Sequence, residues 1–139
     1  MSGYLVDTNV VSELLAPDPD ANVIAFLNDQ HSLWFSAVVV HELEFGFQQL
    51  PLGYRRSRLH SVLMAFVDSF ADKILPVGRR EAEQAAAVRG QARQQGRTVH
   101  LADGLIMGTA LVHGLDVATR NVRDFADNGI GIVNPWAPL

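Results

Sequence analysis

Three acidic residues lie among apolar neighbours at separate points of the chain. Asp7 ends the apolar run of residues 4–6, Glu42 lies in the segment VVVHELEFG, and Asp103 lies in HLADGLIMGTA. A carboxylate turned toward apolar surroundings needs hydrogen bonds, a cation or a proton to offset its desolvation. Because no lysine or arginine stands beside these acids in the sequence, their joint pattern favours a site where oxygen atoms bind a cation.

The donor types narrow the choice of cation. The chain has no cysteine, and its 5 histidines are scattered. Oxygen ligands without thiolates or clustered imidazoles favour Mg²⁺, with Mn²⁺ as the alternative, over zinc. Mg²⁺ takes one or two carboxylates and often a substrate phosphate, and it lowers the pKa of a water molecule that can attack phosphorus. The acids therefore predict phosphate chemistry.

Each acid also has a purely structural interpretation. Asp7 can cap the helix predicted after it. Asp103 falls in the first turn of a predicted helix, where the helix dipole stabilises negative charge. Glu42 can be an exposed helical residue. For each acid taken alone these interpretations stay open. A cation site is favoured only if the fold brings the three acids together.

Hydrophobic periodicity predicts strands and helices in alternation. The expected strands span residues 3–7, 32–37, 73–77, 115–119 and 129–134. The expected helices span residues 9–15, a segment capped by Asp20, 36–49, 55–71, 79–96 and 99–113, with a turn or short helix at 122–126. Alternation of this kind implies right-handed crossovers between parallel strands. We expect one α/β domain over residues 1–139, with three α/β/α layers and a central, mainly parallel sheet.

This architecture predicts that the acids lie at one edge of the sheet. In parallel sheets, sites form at the carboxyl ends of the strands. Asp7 lies at such an end, while Asn121 and Asp124 closely follow the strand LDVAT. We expect these side chains to reach the same edge of the sheet.

The clearest helical stripe consists of apolar residues at successive +3 and +4 steps. Its members are Leu59, Val62, Leu63, Phe66, Val67 and Phe70. Burial in the core is the simplest interpretation of such a stripe. It is apolar enough that part of it could also form a homodimer face or a groove for a partner helix.

Composition limits the class of protein. The 139 residues are 48% hydrophobic and 19% charged, with a formal net charge of -4. This suits a compact domain, and any nucleic-acid binding must come from a local basic patch. No apolar run approaches the ~20 residues that cross a bilayer, and no signal peptide opens the chain. Together with the lack of cysteine, these features predict a cytoplasmic protein without membrane contact.

Four segments in order resemble the motifs of the PIN-domain nucleases: LVDTNVVSELL, SAVVVHELEFG, HLADGLIMGTA and VATRNVRDF. The likeness covers essentially the whole chain and is greatest to the VapC-like toxins of bacterial toxin–antitoxin pairs. Within these, the FitB-like branch shares the C-terminal NPW found here at residues 134–136. The resemblance implies a Mg²⁺-dependent endoribonuclease that cuts RNA and is silenced by a small cognate antitoxin.

The resemblance also implies residue roles. Asp7 and Asp103 match the principal metal-ligand acids, and Glu42 matches the acid of the second motif. Asn9 and Thr119 match polar residues that support the site. Arg120 and Arg123 flank the proposed site, and we expect both to contact RNA phosphates.

The chain departs from the family pattern at the fourth motif. Some relatives have aspartate directly after Thr-Arg, whereas this chain has Asn121, with Asp124 one helical turn later. Asparagine can ligate or hydrogen-bond but adds no negative charge, so we expect one Mg²⁺ rather than two. The same departure supports an alternative function, in which the chain is mainly a binding subunit of a DNA-binding toxin–antitoxin complex. In either case we expect a homodimer that reaches DNA only through its antitoxin.

Overall fold

A five-stranded sheet lies at the centre of the computed structural model, which describes residues 2–29 and 32–138. The strands are β1 (Tyr4–Val6), β2 (Leu33–Ser36), β3 (Ile74–Leu75), β4 (Asp116–Ala118) and β5 (Ile132–Val133). Their spatial order is β3-β2-β1-β4-β5, and every neighbouring pair is parallel. The expected α/β/α domain is confirmed, and the sheet is wholly rather than mainly parallel. The expected domain 1–139 also includes residues 1, 30, 31 and 139, which lie outside the described ranges.

Helices connect the strands and cover the sheet. They are α1 (Thr8–Glu13), α2 (Ala21–Asn28), α3 (Ala37–Gln48), α4 (Tyr54–Ser69), α5 (Arg79–Gln94), α6 (Leu101–His113) and α7 (Val122–Phe125), with a 3₁₀ turn at Ala71–Lys73. None of the helices in the described ranges is both long and apolar enough to cross a membrane.

The helix ends follow local side-chain chemistry. Ser36 accepts a hydrogen bond from the Val38 amide and so begins α3, and Asp20 accepts from the first-turn amides of α2 in the same way. At the end of α5, Gly96 has a φ of 76°, and the Arg97 amide bonds back to the Ala92 carbonyl. This left-handed turn needs glycine, as the sequence predicts.

The order of the strands creates a switch point between β1 and β4. The chain moves from β1 outward to β2 and β3, and then crosses to the other side of β1 to form β4 and β5. Helices leaving β1 and β4 therefore diverge, which opens a crevice at the carboxyl ends of these two strands. Asp7 directly follows β1 and Thr119 directly follows β4.

Close packing of α5 against α6 fixes the helix that carries Asp103. At Gly108, a Cβ atom would collide with the backbone carbonyl of Glu81 and would lie 2.7 Å from the Ala85 amide nitrogen. The two helices can approach this closely only because residue 108 has no side chain. The position of α6, and with it the position of Asp103, therefore depends on this contact.

The apolar stripe of α4 is only partly buried. Leu63 is the one residue of this helix that is fully buried, whereas Val62 is 55% exposed. Leu59, Phe66 and Phe70 pack against the core from its edge. The expectation of a simple core helix is therefore wrong for part of this face, because α4 lies at the periphery of the domain.

Candidate active site

Acidic residues from three distant segments meet in one cleft at the carboxyl edge of the sheet. The cleft has a volume of about 410 Å³ and is lined by Asp7, Thr8, Asn9, Ser12, Glu13, Glu42, Asp103, Arg120, Asn121 and Trp136. Asp7 comes from the end of β1, Glu42 from α3 and Asp103 from the first turn of α6. The sequence prediction that these carboxylates share one edge of the sheet agrees with this arrangement.

Hydrogen bonds hold the buried carboxylate of Asp7, which is 5% exposed, in a fixed orientation. Its Oδ1 accepts from the Thr8 amide at 2.8 Å, which is the capping contact considered as the structural alternative. Its Oδ2 accepts from the Thr119 hydroxyl at 2.8 Å and from Asn9 Nδ2 at 3.4 Å. Capping therefore uses only one of the two oxygen atoms, and the other belongs to a polar network that joins β1 to β4.

Glu42 is positioned by a residue that sequence reasoning did not select. The Thr8 hydroxyl donates to Glu42 Oε1 at 2.8 Å and so links α1 to α3. Because Thr8 also donates its amide to Asp7, it makes hydrogen bonds to two of the acids. Its position directly after Asp7 was the available signal, but only the packing of α1 on α3 shows its partner.

The pKa of Asp103 is raised to about 6, mainly by burial and further by repulsion from the carboxylates of Asp7, Asp124 and Glu42. His100, three residues earlier, acts in the opposite direction and lowers this pKa. A carboxyl group that titrates near pH 6 without a metal has too little positive charge around it. Burial of the cleft acids and their mutual repulsion together therefore favour a bound cation.

The pKa of Asp7 is also raised, and burial is again the main cause. Its hydrogen bonds from Thr119 and Thr8 lower the pKa, whereas Glu42 and Asp124 raise it by repulsion. Glu42 and Asp124 therefore act on both Asp7 and Asp103, so these two lie within electrostatic reach of the same carboxylates.

The fourth motif divides between the cleft and its surroundings. Asn121 lines the cleft, and its side chain makes no capping bond to α7. Asp124 is exposed on α7 and acts on Asp7 and Asp103 through its charge. Arg120 lines the cleft, whereas Arg123 is exposed outside its lining residues. Thr119 is fully buried, and its hydroxyl also accepts the Asn121 amide at 3.0 Å.

The donor set suits a hard divalent cation such as Mg²⁺, because carboxylate oxygens converge in a polar cleft where two pKa values are raised. Within residues 2–29 and 32–138, however, no three acidic or histidine side chains form a ready-made metal site. Mg²⁺ does not need three such side chains, because it binds through one or two carboxylates and keeps several waters. Asp7 and Asp103 are the pair of ligands that the resemblance to the PIN-domain nucleases implies.

Comparison with known proteins agrees with the fold. Residues 4–130 match the family model described as PIN domain. The chain is 38% identical over 137 residues to VapC ribonuclease Y4jK of Sinorhizobium fredii, covering 96% of this chain and 98% of the relative. It is 37% identical over 135 residues to toxin FitB of Neisseria gonorrhoeae, covering 95% and 97% respectively.

Solved structures give the same result. The chain superposes with a TM-score of 0.91 on a structure of FitAB bound to an IR36 DNA fragment, with 34% identity over 100% of this chain and 98% of the other. FitAcB from Neisseria gonorrhoeae gives a TM-score of 0.89 with 37% identity, covering 98% and 99%. This chain therefore belongs to the PIN-domain family and, within it, to the VapC/FitB group.

Proposed function

We propose that this chain is a Mg²⁺-dependent endoribonuclease, the toxin of a toxin–antitoxin pair, which cleaves RNA phosphodiester bonds in the cytoplasm. The observation that carries the proposal is the convergence of Asp7, Glu42 and Asp103 in one cleft from three separate segments. The name of a 38% identical relative, VapC ribonuclease Y4jK, supports it.

In this proposal Asp7 and Asp103 hold the cation, and Mn²⁺ can replace Mg²⁺. A bound divalent cation supplies positive charge for the scissile phosphate and lowers the pKa of a water molecule. Thr119 and Asn9 orient the Asp7 carboxylate through their hydrogen bonds. Glu42, held by Thr8, is placed to accept a proton at the edge of the cleft.

The remaining polar residues face the substrate. Asn121 offers an uncharged ligand or hydrogen-bond partner in the cleft, and the exposed Asp124 adds negative charge that acts on Asp103. Arg120 brings positive charge to the cleft, and the exposed Arg123 brings it to α7 three residues later; we expect both to contact RNA phosphates. Because Asn121 carries no charge, we expect one Mg²⁺ rather than two.

Incubation of the purified chain with RNA, in Mg²⁺ or in chelator, tests the proposal. Asp7→Asn and Asp103→Asn should each reduce cleavage by more than the roughly 10- to 100-fold typical of losing a partner of a metal ligand. Asp72→Asn is the matched control, since Asp72 is an exposed carboxylate of the 3₁₀ turn outside the cleft. Full activity of either cleft variant, or cleavage unaffected by chelator, would overturn the proposal.

A groove beside the cleft supports an antitoxin partner. About 340 Å³ in volume, it lies between α1, α3 and α4 and is lined by Ser12, Leu15, Ala16, Glu42, Leu43, Gly46, Phe47, Leu50 and Leu59. Ser12 and Glu42 line the cleft as well, so a segment bound in the groove would end beside the carboxylates. A solved relative that is 25% identical is described as a member of the VapBC family of toxin–antitoxin systems, which supports an antitoxin as the occupant. An apolar groove between helices suits a helix of that partner.

The alternative function is a binding subunit that contacts DNA only through its antitoxin. The uncharged Asn121 favours it, and so does the relative solved as FitAB bound to DNA. A DNA shift that appears only with the antitoxin, without cleavage of any RNA in Mg²⁺ or Mn²⁺, would select this function. We also expect a homodimer, which sedimentation of the purified chain would reveal.

A further inference from the structure

The side chain of Arg120, which lines the cleft, packs on the ring of Trp136. The guanidinium carbon of Arg120 lies 5.0 Å from the centre of the Trp136 ring, and both residues line the cleft. Among residues 2–29 and 32–138, no carboxylate forms an ion pair with Arg120, although four acids, Asp7, Glu13, Glu42 and Asp103, line the same cleft. An aromatic face attracts a cation without using its N–H donors. The donors of Arg120 therefore stay available to an anion.

Trp136 is itself firmly placed. Its amide donates to Asn134 Oδ1 at 3.0 Å, and its carbonyl accepts from Asn22 Nδ2 at 2.9 Å. Pro135, between these residues, is buried. The C-terminal turn is thus fastened to α2, and the half-buried indole forms one wall of the cleft. A ring fixed at this point can restrict the long side chain of Arg120.

The backbone of Arg120 is tied to the same acidic network. Its amide donates to Asn9 Oδ1 at 3.3 Å, and Asn9 Nδ2 donates to Asp7 Oδ2. Arg120 also follows Thr119, whose hydroxyl donates to Asp7. Backbone and side chain are therefore held separately, the backbone by the residues around Asp7 and the guanidinium by the indole.

We propose that Trp136 is a positioning residue, and that it holds the Arg120 guanidinium ready for a phosphate of single-stranded RNA next to the scissile one. The proposal rests on the proposed ribonuclease function and adds a substrate contact to it. Planar guanidinium groups bind phosphate through paired N–H donors, so their orientation controls the contact. Trp136 acts on the RNA through Arg120 and takes no part in the reaction itself.

The test measures binding of a short fluorescein-labelled single-stranded RNA of mixed sequence, by anisotropy in chelator at several salt concentrations. Trp136→Leu should weaken binding about fivefold, as expected for a lost cation–π contact. The slope of log K against log salt should fall by about 0.7, the value for one phosphate contact on a single strand. Trp136→Phe keeps an aromatic face and should bind within about twofold of the wild type.

A double-mutant cycle separates positioning from general packing. Arg120→Met should lose as much as Trp136→Leu, and the double variant should lose no more than either. In cleavage assays the loss should appear in KM and leave kcat unchanged. Trp34→Leu is the matched control, because Trp34 has Lys73 over its ring at 4.2 Å and lies outside the cleft. Any of three results would overturn the inference. The affinity losses of Arg120→Met and Trp136→Leu could multiply in the double variant, the salt slope of Trp136→Leu could equal that of the wild type, or Trp136→Phe could bind as weakly as Trp136→Leu.

Emission of Trp136 gives a readout independent of RNA. The chain has 2 tryptophans, so Trp34→Phe leaves Trp136 as the only source of tryptophan emission. Adding Arg120→Met should then change its emission, and unchanged emission would refute the pairing. If the wild type cleaves RNA and Trp136→Leu behaves like it, only this inference fails. If the wild type binds RNA but never cleaves it, the nuclease proposal fails while the anisotropy series still decides the role of Trp136.

Discussion

At the scale of single residues, the cleft is governed by a conflict between burial and charge. Asp7 and Asp103 are pushed toward their protonated forms by burial and by neighbouring acids. Hydrogen bonds from Thr119 and Thr8 oppose this for Asp7 and hold its carboxylate in place. The chain thus maintains an arrangement that is electrostatically unfavourable on its own, and a divalent cation would relieve it.

The titration of Asp103 leads to a prediction about stability without metal. Its pKa rises from 3.8 when unfolded to about 6 in the folded chain, so the folded state binds more protons between these values. The stabilisation that protonated Asp103 gives the folded state is therefore complete below about pH 4 and is lost as the pH rises through 6. Asp103→Asn should remove this loss and raise the free energy of unfolding at pH 7 by about 1 to 2 kcal/mol, after allowing for solvent screening.

Urea unfolding of metal-free protein between pH 4 and pH 8 measures this effect. Asp72→Asn, outside the cleft, should follow the wild-type profile. The prediction would be contradicted if the free energy of unfolding of the wild type increased steadily from pH 4 to pH 7 and exceeded that of Asp103→Asn at pH 7.

A second residue-scale prediction concerns the hydroxyl of Thr119. Thr119→Val removes a buried donor to Asp7 Oδ2 and should lower the free energy of unfolding at pH 7 by about 1 to 3 kcal/mol. Thr109→Val is the control, because its equally buried hydroxyl bonds only to the Leu105 carbonyl one turn earlier in α6. Equal losses in the two variants, measured by urea unfolding, would show that the Asp7 contact has no special effect.

At the scale of elements, the contact between α5 and α6 determines where Asp103 lies. Sequence periodicity predicts both helices, but a glycine in the middle of α6 gives no sign of its neighbour. The structure shows that the backbone of α5 fills the place where a side chain of residue 108 would be. Glycine at position 108 lowers the intrinsic stability of α6, yet the packing of α6 against α5 requires it.

Two glycine substitutions test this contact with opposite expected signs. Gly108→Ala should destabilise the fold by about 1 to 3 kcal/mol, because the added methyl collides with the backbone of α5. Gly90→Ala, on the exposed face of α5 with nothing near its added carbon, should instead stabilise it by about 0.5 to 1 kcal/mol. Thermal unfolding of both variants measures the difference, and a stabilising Gly108→Ala would refute the proposed packing role.

At the scale of the whole molecule, the order of the strands is what gathers the site. The chain reverses its direction of growth between β1 and β4, which opens the crevice where Asp7 and Thr119 meet. Two surfaces adjoin there: the polar cleft and the apolar groove, which share Ser12 and Glu42. Under the proposed function, RNA in the cleft and an antitoxin in the groove would both contact Ser12 and Glu42 and would therefore compete there.

Cation binding should be visible as stability of the whole domain. Mg²⁺ or Mn²⁺ that binds only the folded chain should raise the free energy of unfolding by about 2.7 kcal/mol at a hundredfold excess over Kd. Thermal unfolding with and without chelator measures this, and Asp72→Asn should retain the full shift. Asp7→Asn or Asp103→Asn should remove most of it, and an unchanged shift in both would exclude these residues as ligands.

By itself, the sequence determined the alternation of elements, their caps at Asp20 and Ser36, and the acids at strand ends and helix starts. These features are local, because periodicity and capping depend on residues a few positions apart. It did not determine the partner of Thr8, the exposure of Val62 on α4, or the pairing of Arg120 with Trp136. These depend on contacts between segments far apart in the chain, which only the packing of helices around the switch point brings together.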